Sequence, residues 1–295
     1  MLLDQVINGL VSGGLYALIA LGYTLVFGVL DKLNFAHSDV FMFGGYVGVI
    51  ALAAGGGNLA VATVVVVVVT ALMGLAVEFI SFRKFRSPDA QVTAALSSLL
   101  VGLLIVELTQ RMWGTDGRAL DIPAAVYTAG TRILGVQIAY VKLAILAFAL
   151  VLMAGLLIVI ERTRLGRNIR AVSESPDAAQ LMGIDVTRVT QITFAIASAL
   201  AGVSGLMLAC KTGVAASDIG LTFGLKAMAV MAIGGMGDLR GAMAAGLLVG
   251  LAEGLTYEVG LGRVGEMTVW VLMILVLLVR PSGLFGGGRG RSVRA

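Results

Sequence analysis

The residues of this chain that could do chemistry begin with its only histidine, in the run His37-Ser38-Asp39. Consecutive residues on a helix point about 100° apart, so these three cannot form one hydrogen-bonded catalytic triad. We expect Asn34 to cap or break the start of a membrane helix. His37 and Asp39 are then expected either to satisfy polar groups inside a bundle or, with Asn34, to line a transport path.

A second candidate is the glycine-rich run that contains Gly234, Gly235 and Gly237 and ends at Gly241. It resembles a phosphate-binding loop, but no Lys-Ser or Lys-Thr follows the glycines, so no ATP site is expected on this chain. One interpretation is a break between two short membrane segments. The other is a path lined by this break, because broken helices expose backbone groups inside cavities.

Charged residues within apolar segments are the third kind of candidate, since buried charge in a membrane bundle is often functional. Glu253 lies between Gly250 and Gly254 and is expected to be the deepest of them. It could belong to the path or form a hydrogen bond to a neighbouring helix. Lys226 and Glu258 are expected nearer the membrane interface, with the lysine stem reaching outward.

Composition identifies the class of protein that must position these residues. Of the 295 residues, 59% are hydrophobic and only 13% charged, and the mean hydropathy is +1.00. These values indicate an integral membrane protein. The formal charge of +4 does not suggest nucleic acid, because the basic residues lie between apolar runs. The single Cys210 cannot form an internal disulfide, and no Cys/His cluster suggests a metal site.

Apolar segments long enough to cross a bilayer predict roughly eight to ten spans, all helical, because lipid leaves backbone groups no other partner. The fold class is therefore all-α, a polytopic transmembrane helical bundle. The candidate spans are 6–30, 33–54, 59–82, 90–110, 140–160, 191–210, 222–237, 242–259 and 266–279.

The polar segment 161–190 separates two of these spans and contains five arginines, so it cannot lie in hydrocarbon. It also predicts a short helix, with Ser175 or Ser173 as the N-cap, Pro176 in the first turn and Gly183 as the stop. Such a helix is either a solvated connector or a contact site for a soluble partner.

Lysines and arginines also predict the orientation of the chain. The basic regions 83–86, 161–190 and 280–294 are expected on the cytoplasmic side, and the loop 111–139 outside. We therefore divide the chain into a membrane domain, 1–285, and a disordered cytoplasmic tail, 286–295.

Small residues recur every fourth position in two stripes, which are expected to let helix backbones approach closely. They pack either within the bundle or against another subunit. The stripes are Ala242, Gly246, Gly250 and Gly254, and Ala197, Ala201, Gly205 and Ala209.

Four stretches, in order along nearly the whole chain, resemble the LivH-type permeases of high-affinity branched-chain amino acid ABC importers. They are Gly22 to Asp39 with Met42 and Gly44, Arg170 to Asp185, Met231 to Gly241, and Arg280 to Gly286. Ser38 departs from the glycine that this family usually has after the histidine.

Within the second stretch, the run from Glu174 to Ile184 resembles the loop that couples an importer permease to its ATPase. The resemblance assigns this coupling role to Glu174, Pro176, Asp177, Ala178, Ala179, Gly183 and Ile184.

The resemblance implies an ABC importer permease and not an enzyme, in a bacterial inner membrane with a cytoplasmic C-terminus. It implies a second related permease, two cytoplasmic ATPases that bind ATP and Mg²⁺, an external solute-binding protein, and branched-chain or other apolar amino acids as cargo. One alternative is a permease for urea or short amides. An alternative of another class is a stand-alone channel or ion-driven carrier.

Overall fold

A computed structural model describes residues 2–85, 90–120, 129–133, 136–260 and 262–286. Across these residues it contains eleven α-helices, one of which continues as a π-helix, Glu78–Phe82. The helices are α1 Leu2–Leu30, α2 His37–Ala54, α3 Leu59–Val77, α4 Gln91–Trp113, α5 Tyr140–Arg162, α6 Arg164–Glu174, α7 Pro176–Leu181, α8 Val186–Thr212, α9 Ile219–Gly234, α10 Leu239–Glu258 and α11 Thr268–Val279, the last preceded by the 3₁₀ turn Gly262–Met267.

All nine predicted membrane segments fall on helices, although 33–54 begins before its helix and 222–237 ends beyond its helix. Seven helices are long and apolar enough to cross a membrane, and two shorter apolar helices, Ile219–Gly234 and Val264–Val279, join them. The valine run in α3 is helical although it would favour a strand in water, because lipid leaves the backbone no other partner. The predicted polytopic helical bundle is confirmed.

Two small antiparallel ladders accompany the helices without changing the predicted all-α class. Strand β1, Arg118–Ala119, pairs with β4, Val214–Ala215, and β2, Gly130–Ile133, pairs with β3, Val136–Ala139. Three of these strands lie in the loop 111–139, where backbone groups outside a helix need partners. Asp121 and Pro123 of this loop lie outside the described residues.

The centre of the bundle is formed by α1, α2 and α8, which are the most buried of the long helices. The face of α10 that meets α1 is also buried. Helix α1 packs most extensively against α10. A Cβ on Gly250 would overlap the backbone of Gly13 and the carbonyl of Gly9, so the two helices meet backbone to backbone.

The second stripe packs in the same way, because a Cβ on Gly205 would overlap the backbone of Phe41 in α2. Both small-residue stripes therefore pack within this chain. The interpretation that a stripe faces another subunit is not supported at these contacts.

Helices α3, α4 and α5 form the periphery, and only about a quarter of the residues in the most apolar stretch of each helix are buried. Their outward side chains are large and apolar, as Val64, Leu100 and Val151 illustrate. In a membrane protein such faces meet lipid or a neighbouring subunit.

The polar connections gather at two ends of the bundle. Ser173 donates a hydrogen bond to the carbonyl of Gly28, and Lys32 donates one to the carbonyl of Phe85. These contacts join the loop after α1, the loop after α3 and the segment after α5 at one end, which we call the basic end. The other end, with the strands β1 and β4, is the opposite end.

At the basic end the chain folds back after α11 onto the break between α9 and α10. The amide of Leu284 donates to the carbonyl of Ile233 at 2.8 Å, and that of Phe285 donates to the carbonyl of Gly234 at 3.1 Å. This segment therefore satisfies carbonyls that end α9. The predicted disordered tail, 286–295, falls almost wholly outside the described residues, and Gly286 itself packs against Gly235.

Candidate functional site

The polar segment 161–190 contains two helices where the sequence predicted one. Helix α6 begins after Thr163, whose hydroxyl accepts the amide of Gly166 at 3.1 Å. Its buried residues are Gly166, Ile169 and Val172, spaced three apart so that they share one face. That face, together with the bond from Ser173 to Gly28, fixes the segment to the end of α1.

Helix α7 follows the predicted pattern closely. The Ser175 hydroxyl accepts the amide of Ala178 at 3.2 Å, so Ser175 is the N-cap and the alternative, Ser173, is wrong. Pro176 occupies the first turn. Beyond the last helical residue, Leu181, Gly183 has a φ of 82°, a left-handed conformation that favours glycine.

The residues assigned to coupling divide by exposure. Five of them are exposed, and Ile184 is half-buried. Ala179 is buried, so its side chain supports α7 from inside. Its carbonyl accepts a hydrogen bond from the amide of Ile184 at 3.0 Å. The exposed five are Glu174, Pro176, Asp177, Ala178 and Gly183.

Sequence reasoning missed two residues of this surface. Leu181 is 90% exposed and Met182 is 82% exposed, at the tip of α7. The signal was present, because two adjacent apolar residues precede Gly183 in an otherwise polar segment. A projecting apolar pair beside exposed charge is the type of surface that binds another protein.

The start of α2 differs from the prediction in part. The chain does break here, but the N-cap is Ala36, which makes no side-chain cap bond. Asn34 is buried, and its Oδ1 has no hydrogen-bond partner. Asn34 therefore marks the break without capping the helix.

His37 is almost wholly buried, with its ring 4.6 Å from the ring of Tyr23. A Cβ on Gly22 would overlap this ring, so Gly22 provides its space. Neither ring nitrogen makes a hydrogen bond of full geometry, and the backbone of Ile19 is the polar group that interacts with it. His37 thus meets a polar group of the bundle without a full hydrogen bond, and its role on the path stays a prediction.

Ser38 and Asp39 do not complete a catalytic arrangement with this histidine. The Ser38 hydroxyl donates to the carbonyl of Phe35 at 3.0 Å. Asp39 is half-buried beside Gly102 of α4. The family that the sequence resembles usually has a glycine at this position. Here Gly224 of α9 makes room for the Ser38 side chain, because a Cβ on Gly224 would overlap the serine.

The glycines Gly234, Gly235 and Gly237 form the break between α9 and α10. Gly235 has a φ of 109° and Gly237 of 85°. A Cβ on Gly235 would lie 2.8 Å from the amide nitrogen of Gly286, so close backbone packing explains at least this glycine. The interpretation as a break between two short membrane segments is confirmed, and a role in the path stays a prediction.

Glu253 and Lys226 form a buried ion pair between α10 and α9. The Lys226 ammonium lies 2.9 Å from Glu253 Oε1, and Tyr16 of α1 donates its hydroxyl to Oε2 at 2.8 Å. The ammonium also lies 3.4 Å from the Tyr16 oxygen. The expectation that Lys226 sits at the interface is wrong, because this pairing draws it into the bundle. Glu258, the last residue of α10, is half-buried.

The predicted path residues thus fall into separate places: the start of α2, the glycine break and the ion pair. Within the described ranges, no three His, Cys, Asp or Glu side chains gather as metal ligands.

The sequence model of the family described as "Branched-chain amino acid transport system / permease component" matches residues 5–279. The permease protein BraD of a high-affinity branched-chain amino acid transport system from Pseudomonas aeruginosa is 34% identical over 96% of this chain and 95% of the relative. The permease LivH of Escherichia coli K12 is 32% identical over the same shares.

This chain also shows a likeness to a solved structure, PsaBC from Streptococcus pneumoniae in complex with Fab. It has 14% identity and a TM-score of 0.41, and the match covers 93% of this chain and 91% of that one.

Proposed function

We propose that this chain forms the membrane path of an ATP-driven importer for branched-chain or other apolar amino acids. The proposal starts from the fact that the chain belongs to the family of branched-chain amino acid transport permease components. It is a multi-pass protein of the inner membrane with seven helices long enough to cross it. Transport would proceed by alternating access, in which the bundle opens to one side at a time. The observation that carries the proposal is α7, exposed at the basic end.

The geometry of α7 supports contact with a soluble ATPase. Its cap and stop make it a rigid short helix, and α6 fixes it to α1. Leu181 and Met182 project from its tip, and Asp177 is exposed in its first turn. A partner that pushes on α7 would therefore move the central helix of the bundle.

The start of α2 supports a place on the path. Asn34 Oδ1 and both ring nitrogens of His37 are buried without full hydrogen bonds, and Asp39 is half-buried nearby. Polar groups left unpaired inside a membrane bundle are costly, and a water or a polar substrate group would satisfy them. Gly234, Gly235, Gly237 and Glu253 complete the candidate set, but these residues already have partners within the chain.

The proposed assembly has further members. By the positive-inside rule the basic end would face the cytoplasm, and the C-terminus would lie on that side. Two ATPases would bind ATP and Mg²⁺ beneath α7, and a second, related permease would complete the pair. An external solute-binding protein would dock at the opposite end and deliver the amino acid.

The test is capture of an ATPase by the detergent-solubilised chain. Wild type should recover the ATPase subunit, and Asp177→Arg should lose it. Asp116→Arg is the matched control, because it makes the same charge reversal at an exposed residue of the opposite end. If a well-folded wild type recovers no ATPase, and the chain transports alone in vesicles, the stand-alone carrier replaces this proposal.

Cargo is tested in the assembled importer. Uptake of radiolabelled leucine that depends on ATP is expected, with urea taken up at background rate. Uptake of urea in place of leucine would contradict the proposed substrate class.

A further inference from the structure

Helix α1 carries a stripe of polar side chains that its sequence spacing places on one face. Asp4, Asn8, Ser12 and Tyr16 recur at every fourth position. The stripe runs about 18 Å along the helix at 1.5 Å per residue, from the opposite end to the middle of the bundle. Asn8 donates to Asp4 at 3.3 Å, and Ser12 donates to the carbonyl of Asn8 at 3.0 Å.

Three lysines from three other helices meet this polar stripe. Lys142 of α5 lies 3.1 Å from Asp4, and Lys211 of α8 donates to the hydroxyl of Ser12 at 2.6 Å. The third is Lys226 of α9, which pairs with Glu253 beside Tyr16. The stripe therefore has one ammonium group at each of three depths.

Among the groups in direct contact along the polar stripe, three lysines meet two carboxylates, while the exposed Glu266 acts on Tyr16 without an ion pair to any of the three lysines. Asp4 is paired with Lys142 and Glu253 with Lys226. Lys211 has a hydroxyl as its hydrogen-bond partner, and it forms no ion pair with any carboxylate of the described residues. One half-buried cation is thus left over, held between like charges on Lys142 and Lys226 and the charge of Glu253.

Burial increases along the polar stripe. The side chains of Lys142 and Asp4 are about one-third exposed, at 30% and 33%. Lys211 and Ser12 are half-buried, and Tyr16, Lys226 and Glu253 are buried. The stripe is therefore most exposed where it begins at the opposite end and most buried at the ion pair, with Lys211 between the two.

We propose that Lys211 binds the carboxylate group of the imported amino acid in the external half of the bundle. This inference rests on the proposed function. A partly desolvated ammonium attracts a carboxylate more strongly than one in water, and the excess positive charge selects an anionic group. The Ser12 hydroxyl, which now accepts from Lys211, holds the ammonium in position until the carboxylate arrives.

The first test is direct binding to the purified permease with its co-purifying subunits, without the external binding protein. Saturation-transfer NMR compares isovalerate, a branched carboxylate without an amine, with isoamylamine, a branched amine without a carboxylate. Wild type should bind isovalerate at least tenfold better. Equal binding of the two probes, or no binding of isovalerate, would overturn the proposal without need of any variant.

Variants then locate the site. Lys211→Gln should lose isovalerate binding at least tenfold, while Lys211→Arg keeps it. Arg111→Gln is the matched control, because it removes a cation that is exposed near the same end and already paired with Glu107. Isovalerate binding that survives Lys211→Gln in a folded protein would place the carboxylate elsewhere.

Uptake separates failure of this inference from failure of the proposed function. In the reconstituted importer at saturating binding protein, Lys211→Gln should lower the maximal rate of leucine uptake at least fivefold, and Lys211→Arg should retain most of it. Wild-type uptake with an unchanged Lys211→Gln rate would refute only the role of Lys211. Absence of leucine uptake by the wild-type assembly would refute the proposed function.

Discussion

Breaking the ion pair of Lys226 and Glu253 should destabilise the bundle strongly. Their side chains are only 7% and 8% exposed, so solvent screens their interaction little. In Lys226→Met, Glu253 keeps the hydrogen bond from Tyr16 but loses the opposite charge. Removal of one partner of a buried pair costs about 3–5 kcal/mol, because the remaining charge stays buried. At about 2–4 °C per kcal/mol, the melting temperature should fall by roughly 6–20 °C.

The assay is thermal unfolding in detergent, followed by tryptophan fluorescence and checked by gel filtration. The double variant Lys226→Met, Glu253→Leu should recover most of the loss, since it leaves no unpaired charge. As a control, Arg111→Gln breaks a pair whose side chains are 77% and 57% exposed, and should change the melting temperature little. A Lys226→Met protein as stable as wild type, or a double variant less stable than the single one, would refute this reasoning.

Three further predictions concern the packing, the partner surface and the pH response. Gly250→Leu should prevent folding or lower the melting temperature by more than 10 °C, because the contact of α1 with α10 leaves no room, whereas Gly155→Leu, at an exposed glycine with nothing within 4 Å of a Cβ, should behave as wild type by gel filtration. Leu181→Ser combined with Met182→Ser should reduce ATPase capture at least tenfold in the pull-down and leave the melting temperature unchanged; undiminished capture would exclude the tip of α7 from the contact. Burial lowers the pKa of Lys32, so the unfolded chain binds more protons than the folded chain between the lowered pKa and the ordinary value. The contribution of Lys32 to stability should therefore rise with pH in this window. Lys32→Met should lack that contribution when melting temperatures are compared from pH 8 to 10.5.

The sequence was sufficient for the parts of the fold that depend on local rules. Apolar length predicted every membrane segment, because a bilayer allows only helices there. The cap and stop of α7 followed from Ser175, Pro176 and Gly183, whose conformational preferences act within a few residues.

Helix α6 was missed because its apolar face is narrow. The apolar side chains on that face are few, chiefly Leu165, Ile169 and Val172, and four arginines lie within or just before the helix, so the segment looked wholly polar. The face becomes meaningful only when the end of α1 is placed against it, which is tertiary information.

The partners of the buried charges could not be predicted, because they come from distant parts of the chain. Tyr16 and Glu253 are separated by 237 residues, and Lys211 and Ser12 by 199. Periodicity places Asp4, Asn8, Ser12 and Tyr16 on one face, but it does not say which helix covers that face. For the same reason, no local pattern predicts that His37 lies against Tyr23 without a full hydrogen bond.

The contact between α1 and α10 has a consequence for the order of synthesis. Glu253 leaves the ribosome 237 residues after Tyr16. At about 5–20 residues per second, roughly 12–50 s pass before the two can meet. During that time α1 is already made, yet its glycine face has no partner and its polar stripe lacks the lysines of α5, α8 and α9. Until translation is nearly complete, this surface of α1 therefore has no partner from α10, and its deepest polar groups stay unpaired with the later helices.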